Sequence, residues 1–69
     1  MKNKIRMARA AERMTQQQLA EAVGVSRQTV HAIEVGKFVP STLLALKIAR
    51  VFRRPVEWVF ELEPDDLQN

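Results

Sequence analysis

The 69-residue chain has no cysteine and no tyrosine, a single histidine, a single tryptophan and two glycines. Without cysteine there is no disulfide framework, no thiol nucleophile and no Cys/His cluster at zinc spacing, so the expectation is a metal-free protein of a reducing, cytoplasmic compartment. One lone histidine has no partner at catalytic or metal-binding spacing. There is no glycine-rich phosphate loop and no Ser/His/Asp set, and carboxylates crowd together only near the acidic end, so neither catalysis nor a cofactor is expected. No stretch is apolar enough to span a membrane. The basic opening "MKNKIRMARAAERM" also lacks the apolar run of about 7 to 15 residues that a secretory signal needs. A chain this short forms one domain and buries only about 60% of its unfolded surface. With a core that thin and no staples, self-association is a natural source of further stability.

What the sequence does have is charge, unevenly placed. Residues 1–54 carry all eleven Lys and Arg against three acids, Glu12, Glu21 and Glu34, whereas residues 55–69 carry five acids and no base. A basic body suits a polyanionic partner, although a solvated basic surface is equally common in small proteins. The acidic end would be repelled by such a partner and should point elsewhere.

Helices separated by short turns account for most of the chain, with no repeat and no low-complexity linker. Asn3 is placed to cap a first helix over about 4–13. "TQQQ", Thr15 to Gln18, has capping-box spacing and opens a second over about 16–23. Ser26 is the next cap, for a third helix over about 27–35. The loop "GKFVPS" then leads to Ser41, which caps the most apolar helix, "TLLALKIARVF", the expected centre of the core. "RRP" at 53–55 ends it, and "VEWVF" reads as a fifth short helix or turn. The run Val56 to Leu62 is also compatible with a short strand.

Within "AEAVGVSRQTV", Gly24 follows the last turn of the second helix by one residue, where a left-handed residue closes a helix without a Cβ clash. Val25 returns an apolar side chain inward and Ser26 caps the next helix at once, the connection of a helix-turn-helix. At about 100° per residue from Arg27, Val30 and Ile33 fall near 300° and 240° with Ser26 beside them, one buried edge. Arg27, Gln28, His31, Ala32 and Val35 fall between about 0° and 140°, facing outward. Arg and Gln can present bidentate donors or acceptors to guanine and adenine, and Ala can meet a thymine methyl, so this face suits a major groove. An ordinary amphipathic helix would show the same pattern.

"MTQQQLAEAVGVSRQTVHAIEVGKFVPS", residues 14–41, resembles the helix-turn-helix of the Cro and phage-repressor (XRE) family, and the likeness continues through "ALKIARVF". The short length and the "RQTVHAIEVGKF" run are similar to the small stand-alone regulators of the cytolysin repressor type. The resemblance implies an all-α, five-helix, lambda-repressor-like domain over residues 1–62; the residues themselves allow a short strand pairing of "MKNK" with the segment near Phe60 to Glu63 and leave an acidic tail over 63–69. It also implies a sequence-specific transcriptional regulator that binds double-stranded DNA and needs no small-molecule ligand and no membrane. Matched positions make Arg27, Gln28, His31 and Ala32 base readers. Gln16, Thr29, Lys37 and Ser41 become phosphate contacts, and Arg9 and Glu34 a structural ion pair. Arg13 and Arg53 stand where relatives often carry glycine, and Leu43 and Trp58 also depart from the usual pattern. Trp58 is then either a cap on a thin core or a partner surface.

One helix in one groove reads only a few base pairs, so a homodimer on half-sites about 34 Å apart is expected. Val56, Trp58, Val59, Phe60 and Leu62 are the candidate dimer residues. Two alternatives remain open: a helix-turn-helix used for protein contact alone, and one half of a toxin–antitoxin or restriction-control pair.

Overall fold

Each of the three middle helices begins where a hydroxyl residue satisfies a backbone donor that the helix cannot. In the computed structural model, which describes residues 1–68, the order is β1 (Lys2–Asn3), α1 (Ile5–Ala11), α2 (Gln16–Val23), α3 (Arg27–Glu34), α4 (Thr42–Phe52), α5 (Val56–Val59), β2 (Phe60–Glu61) and a 3₁₀ helix, Pro64–Leu67. At α2 the capping box is complete. The Gln18 N–H donates to Thr15 Oγ1 at 3.0 Å, and the Thr15 N–H donates to Gln18 Oε1 at 2.8 Å. Ser26 Oγ accepts from Thr29 N–H at 3.1 Å, and Ser41 Oγ from Leu44 N–H at 3.2 Å. Each such cap stabilises by about 1 kcal/mol. Ser26 is itself exposed and not part of the buried edge of α3, because as a cap it lies outside the helical phase that placed it there.

Two helix boundaries fall short of the sequence expectation. The first helix stops at Ala11 and not at Arg13, because Arg13 takes φ 53°, a left-handed residue that no α-helix can contain. Asn3 precedes the helix by two residues. Its Oδ1 accepts from Ile5 N–H at 3.2 Å while its Nδ2 donates to Ile33 O at 2.9 Å, so it ties the start of α1 to α3. The third helix ends at Glu34, with Val35 as its cap. Arg53 is left-handed as well (φ 55°), so both arginines that stand in glycine-like positions take the turn themselves.

Gly24 has φ 80°, and its N–H and that of Val25 both donate to Ala20 O, at 2.8 and 3.0 Å. This closes α2 and turns the chain within two residues of the next cap. The largest fully buried side chains then come one or two from each helix: Ile5, Leu19, Val30 with Ile33, Ile48 and Val59. Burying each contributes roughly 1.5–3 kcal/mol. Val59 is 0% exposed and Phe60 8%, so both belong to this chain's own core and correct the expectation that they form a dimer face. Val59 is the fully buried position of the four-residue α5, with Val56 and Trp58 packed beside the core and Phe60 following into it at the start of β2.

The termini meet as an antiparallel pair, Lys2 opposite Glu61 and Asn3 opposite Phe60. Beyond it the acidic end is folded back: the Met1 amine lies 2.9 Å from Glu63 and 3.2 Å from Asp66, and Asp66 Oδ2 accepts from Glu63 N–H at 2.7 Å. Asn69, the last residue of the expected tail, lies outside the described residues. Among the described residues no helix is long and apolar enough to cross a membrane, and no three metal-ligating side chains cluster.

Gly24→Ala should lower stability by about 1 kcal/mol in urea denaturation. The space for the new Cβ is open, so the cost is backbone strain and not a clash. The terminal clip should also be pH-dependent. Hydrogen bonds from the Glu63 N–H and the Met1 amine hold the Asp66 pKa below its usual value, and Glu63 and then Asp66 raise that of the amine. The clip is therefore complete between the ordinary carboxylate and amine ranges. It opens as pH falls through the depressed Asp66 value or rises through the elevated amine value. Protection of the Asp66 and Gln68 amides, taken relative to their intrinsic exchange at each pH, should be greatest between the two limits and fall at both.

Candidate nucleic-acid interface

The angle of α3 is set by side chains that do not lie on its outer face. Arg9 Nε donates to Glu34 Oε2 at 2.6 Å and its Nη2 to Glu34 Oε1 at 3.1 Å, a two-point fork between α1 and the last residue of α3. Arg9 Nη1 also donates to Met14 O at 2.8 Å, in the turn between α1 and α2. The Glu34 side chain is only 5% exposed and that of Arg9 15%, so the pair works in a low dielectric and is joined by short, charge-assisted hydrogen bonds. Asn3, donating to Ile33 O, adds a second tether at the same end.

With the inner face of α3 anchored by Val30 and Ile33, its other side chains face out. Arg27, Gln28 and His31 are exposed, and Thr29 and Ala32 are half-buried. The Thr29 hydroxyl lies 3.0 Å from that of Ser26, so one of the two O–H groups remains free to donate. Lys37 and Ser41 are exposed on the loop after α3. Ser41 Oγ already accepts from Leu44 N–H, which leaves its own hydrogen available. Gln16, at the start of α2, turns its Nε2 toward His31 Nδ1 and Glu34 Oε1, both at 3.4 Å.

A cleft of about 290 Å³ opens between these elements, lined by Arg6, Arg9, Gln16, His31, Glu34 and Val35. Arg6 is the member that sequence reasoning passed over. It is exposed and, among the described residues, has no acidic partner. Its signal was present in the spacing, since residues three apart share a helix face and Arg6 stands three before Arg9.

An apolar patch lies elsewhere on the surface. Val39, Leu43 and Leu46 are 62%, 65% and 52% exposed, beside a groove of about 300 Å³ whose walls include Pro40, Ala45, Val56 and Phe60. Leu62 is exposed too, at 61%. Trp58 is half-buried, with Lys4 Nζ 5.0 Å and Arg54 Cζ 4.7 Å from its ring centre, so two cations cover an aromatic face.

A helix-turn-helix family model matches residues 5–59. The chain is 53% identical over 66 residues, 96% of its length and all of the relative's, to an uncharacterized HTH-type transcriptional regulator, YgzD, of Bacillus subtilis. It is 50% identical over 66 residues, again 96% of this chain and all of the relative, to one from Methanocaldococcus jannaschii. A third, from Archaeoglobus fulgidus, is 45% identical over 67 residues, 97% of this chain and 94% of the relative.

Glu34→Ala should cost about 3 kcal/mol, because it strands a guanidinium in a nearly closed site. The double replacement Arg9→Met with Glu34→Leu should recover most of that loss. Denaturant titration of the three variants checks the sign. A double variant no more stable than Glu34→Ala would show that the pair itself, and not its breakage, sets stability.

Proposed function

The chain belongs to the helix-turn-helix family of XRE-type, DNA-binding transcriptional regulators, and from that premise we propose that it is a sequence-specific repressor acting as a homodimer on a near-palindromic operator. The observation that carries this reading is the outer face of α3. Arg27, Gln28 and His31 stand exposed on a helix whose opposite edge is buried and whose end is clamped by Arg9 and Glu34. An arginine fork, an amide and an imidazole fixed on a rigid helix match the donor and acceptor pattern of base edges, with Ala32 available to a thymine methyl. Lys37 and Ser41 follow that helix with free donors suited to phosphate oxygens, and Thr29, in its first turn, shares one free hydroxyl donor with Ser26; such contacts position the protein without reading sequence. Arg6 extends the basic rim.

Homodimerisation is supported by the exposed apolar surface. Val39, Leu43, Leu46 and Leu62 are exposed, and the groove that Val39 and Leu46 line can accept a side chain from a second copy. In a twofold contact the same patch serves both partners, and the two α3 helices are carried to successive major grooves. Val56 and Leu62 remain contact residues in this arrangement, and Val59 does not. Repression follows by occlusion, the dimer covering promoter DNA in the cytoplasm and excluding polymerase.

Site selection from a random duplex library, followed by titration of the winner at several salt concentrations, tests the reading. A near-palindromic winner bound by two chains, and preferred over random DNA by about 10³ or more, is the expected result. Binding without any enriched motif that vanishes as salt rises would overturn it. On the selected site, Arg27→Ala should relax preference at one position per half-site at a cost of about 1–3 kcal/mol. Lys37→Ala should weaken all duplexes alike and flatten the salt dependence by about one counterion. Leu46→Arg should give a folded monomer in sedimentation and lose operator affinity while keeping its helical spectrum.

A further inference from the structure

His31, the chain's one histidine, stands exposed on α3 one turn beyond Arg27. Its Nδ1 lies 3.4 Å from Gln16 Nε2, and the same amide nitrogen lies 3.4 Å from Glu34 Oε1. These two contacts decide where the imidazole hydrogen sits. The Glu34 carboxylate, held in the Arg9 fork, only accepts, so the end of the Gln16 amide that faces it is the NH2 group and not the oxygen. That NH2 group has two hydrogens and no lone pair to offer, so toward His31 it donates and Nδ1 accepts. A neutral imidazole accepting at Nδ1 carries its hydrogen on Nε2, the ring nitrogen on the far side from Gln16.

We infer that His31 is a specificity-determining residue that presents Nε2–H to an acceptor on a base edge, with Gln16 as the positioning residue that fixes its tautomer and ring. This rests on the regulator reading above. In the major groove, guanine offers N7 and O6, adenine N7 and thymine O4, whereas cytosine offers only its N4 donor. A single ring N–H therefore rejects cytosine at the position it meets and tolerates the other three bases. Arg9, Glu34, Gln16 and His31 form one relay from the scaffold pair to the base reader. In the free chain the Gln16 amide is turned to His31 and Glu34, and this positioning role stands beside the phosphate contact that the family resemblance implies for it.

Two experiments on the full chain test this. In ¹⁵N-resolved NMR of the free protein, at a pH where the ring is neutral, His31 should be a single tautomer protonated at Nε2. In Gln16→Leu the ring should relax to a mixture of tautomers. A wild-type ring protonated at Nδ1, or a tautomer population unchanged in Gln16→Leu, would overturn the inference.

On DNA, the wild type should disfavour cytosine at one position of each half-site by about three- to tenfold, the worth of one neutral hydrogen bond. His31→Ala should abolish that discrimination and leave the other positions intact, and Gln16→Leu should weaken it at the same position. A Gln16→Leu protein that binds all duplexes uniformly more weakly, with cytosine still rejected, would make Gln16 a backbone contact and overturn its positioning role. A wild type that enriches no sequence would overturn the regulator reading and the base contact with it. The spectra would then still decide the tautomer.

Discussion

A guanidinium from α1 closed on a carboxylate at the end of α3 is the contact on which the working geometry depends. The buried side chains of α3 hold the helix against the core but allow it to roll or tilt, since apolar contact is non-directional. The Arg9 fork removes that freedom, because two parallel N–H···O bonds fix both distance and angle. The third Arg9 hydrogen bond, to Met14 O, ties the same guanidinium to the turn that launches α2. One side chain therefore indexes both helices of the helix-turn-helix to α1. In net stability such a pair does little better than apolar residues of the same shape, so its value lies in orientation.

The helices themselves were legible because their signals are local. Thr15 with Gln18, Ser26 with Thr29, and Ser41 with Leu44 are contacts three residues apart, and a sequence displays them directly. The Gly24 turn is read the same way, from one residue type in one position. The reach of α1 was overestimated because nothing local forbids a helix through Arg13; the left-handed turn there is imposed by how α2 must return to the core. Val59 was misplaced for a related reason. A four-residue helix has too few positions for periodicity to say which face is inward, and only the packing of five helices decides it.

The least legible contacts are those across long separations. Gln16 meets His31 and Glu34 fifteen and eighteen residues away, and the Met1 amine meets Asp66 sixty-five residues away. No spacing rule reaches that far. The acidic end looked like a solvated tail because its charges had no visible partners, yet Glu63 and Asp66 fold onto an amine that the composition does not count. Trp58 is similar. Its ring packs beside the core and is covered in part by Lys4, from the other end of the chain.

These long-range contacts also divide the surface electrically. The clip retains two of the five acids of residues 55–69 beside β1, where the one Met1 amine offsets half of their charge within the chain. Lys4 and Arg54 are occupied by Trp58 and lie on the elements that flank α1 and α5, while Arg6, Arg27 and Lys37 stand free of acidic partners among the described residues. Exposed charges more than about 8 Å apart are largely screened at physiological salt, so it is the charges held closest to α3 that a polyanion approaching it feels. A chain of this size cannot separate its charges by distance alone. Pairing holds some of them in place, and among the described residues Arg6, Arg27 and Lys37, near the recognition helix, are left without acidic partners, as are Lys2, Arg13, Lys47, Arg50 and Arg53.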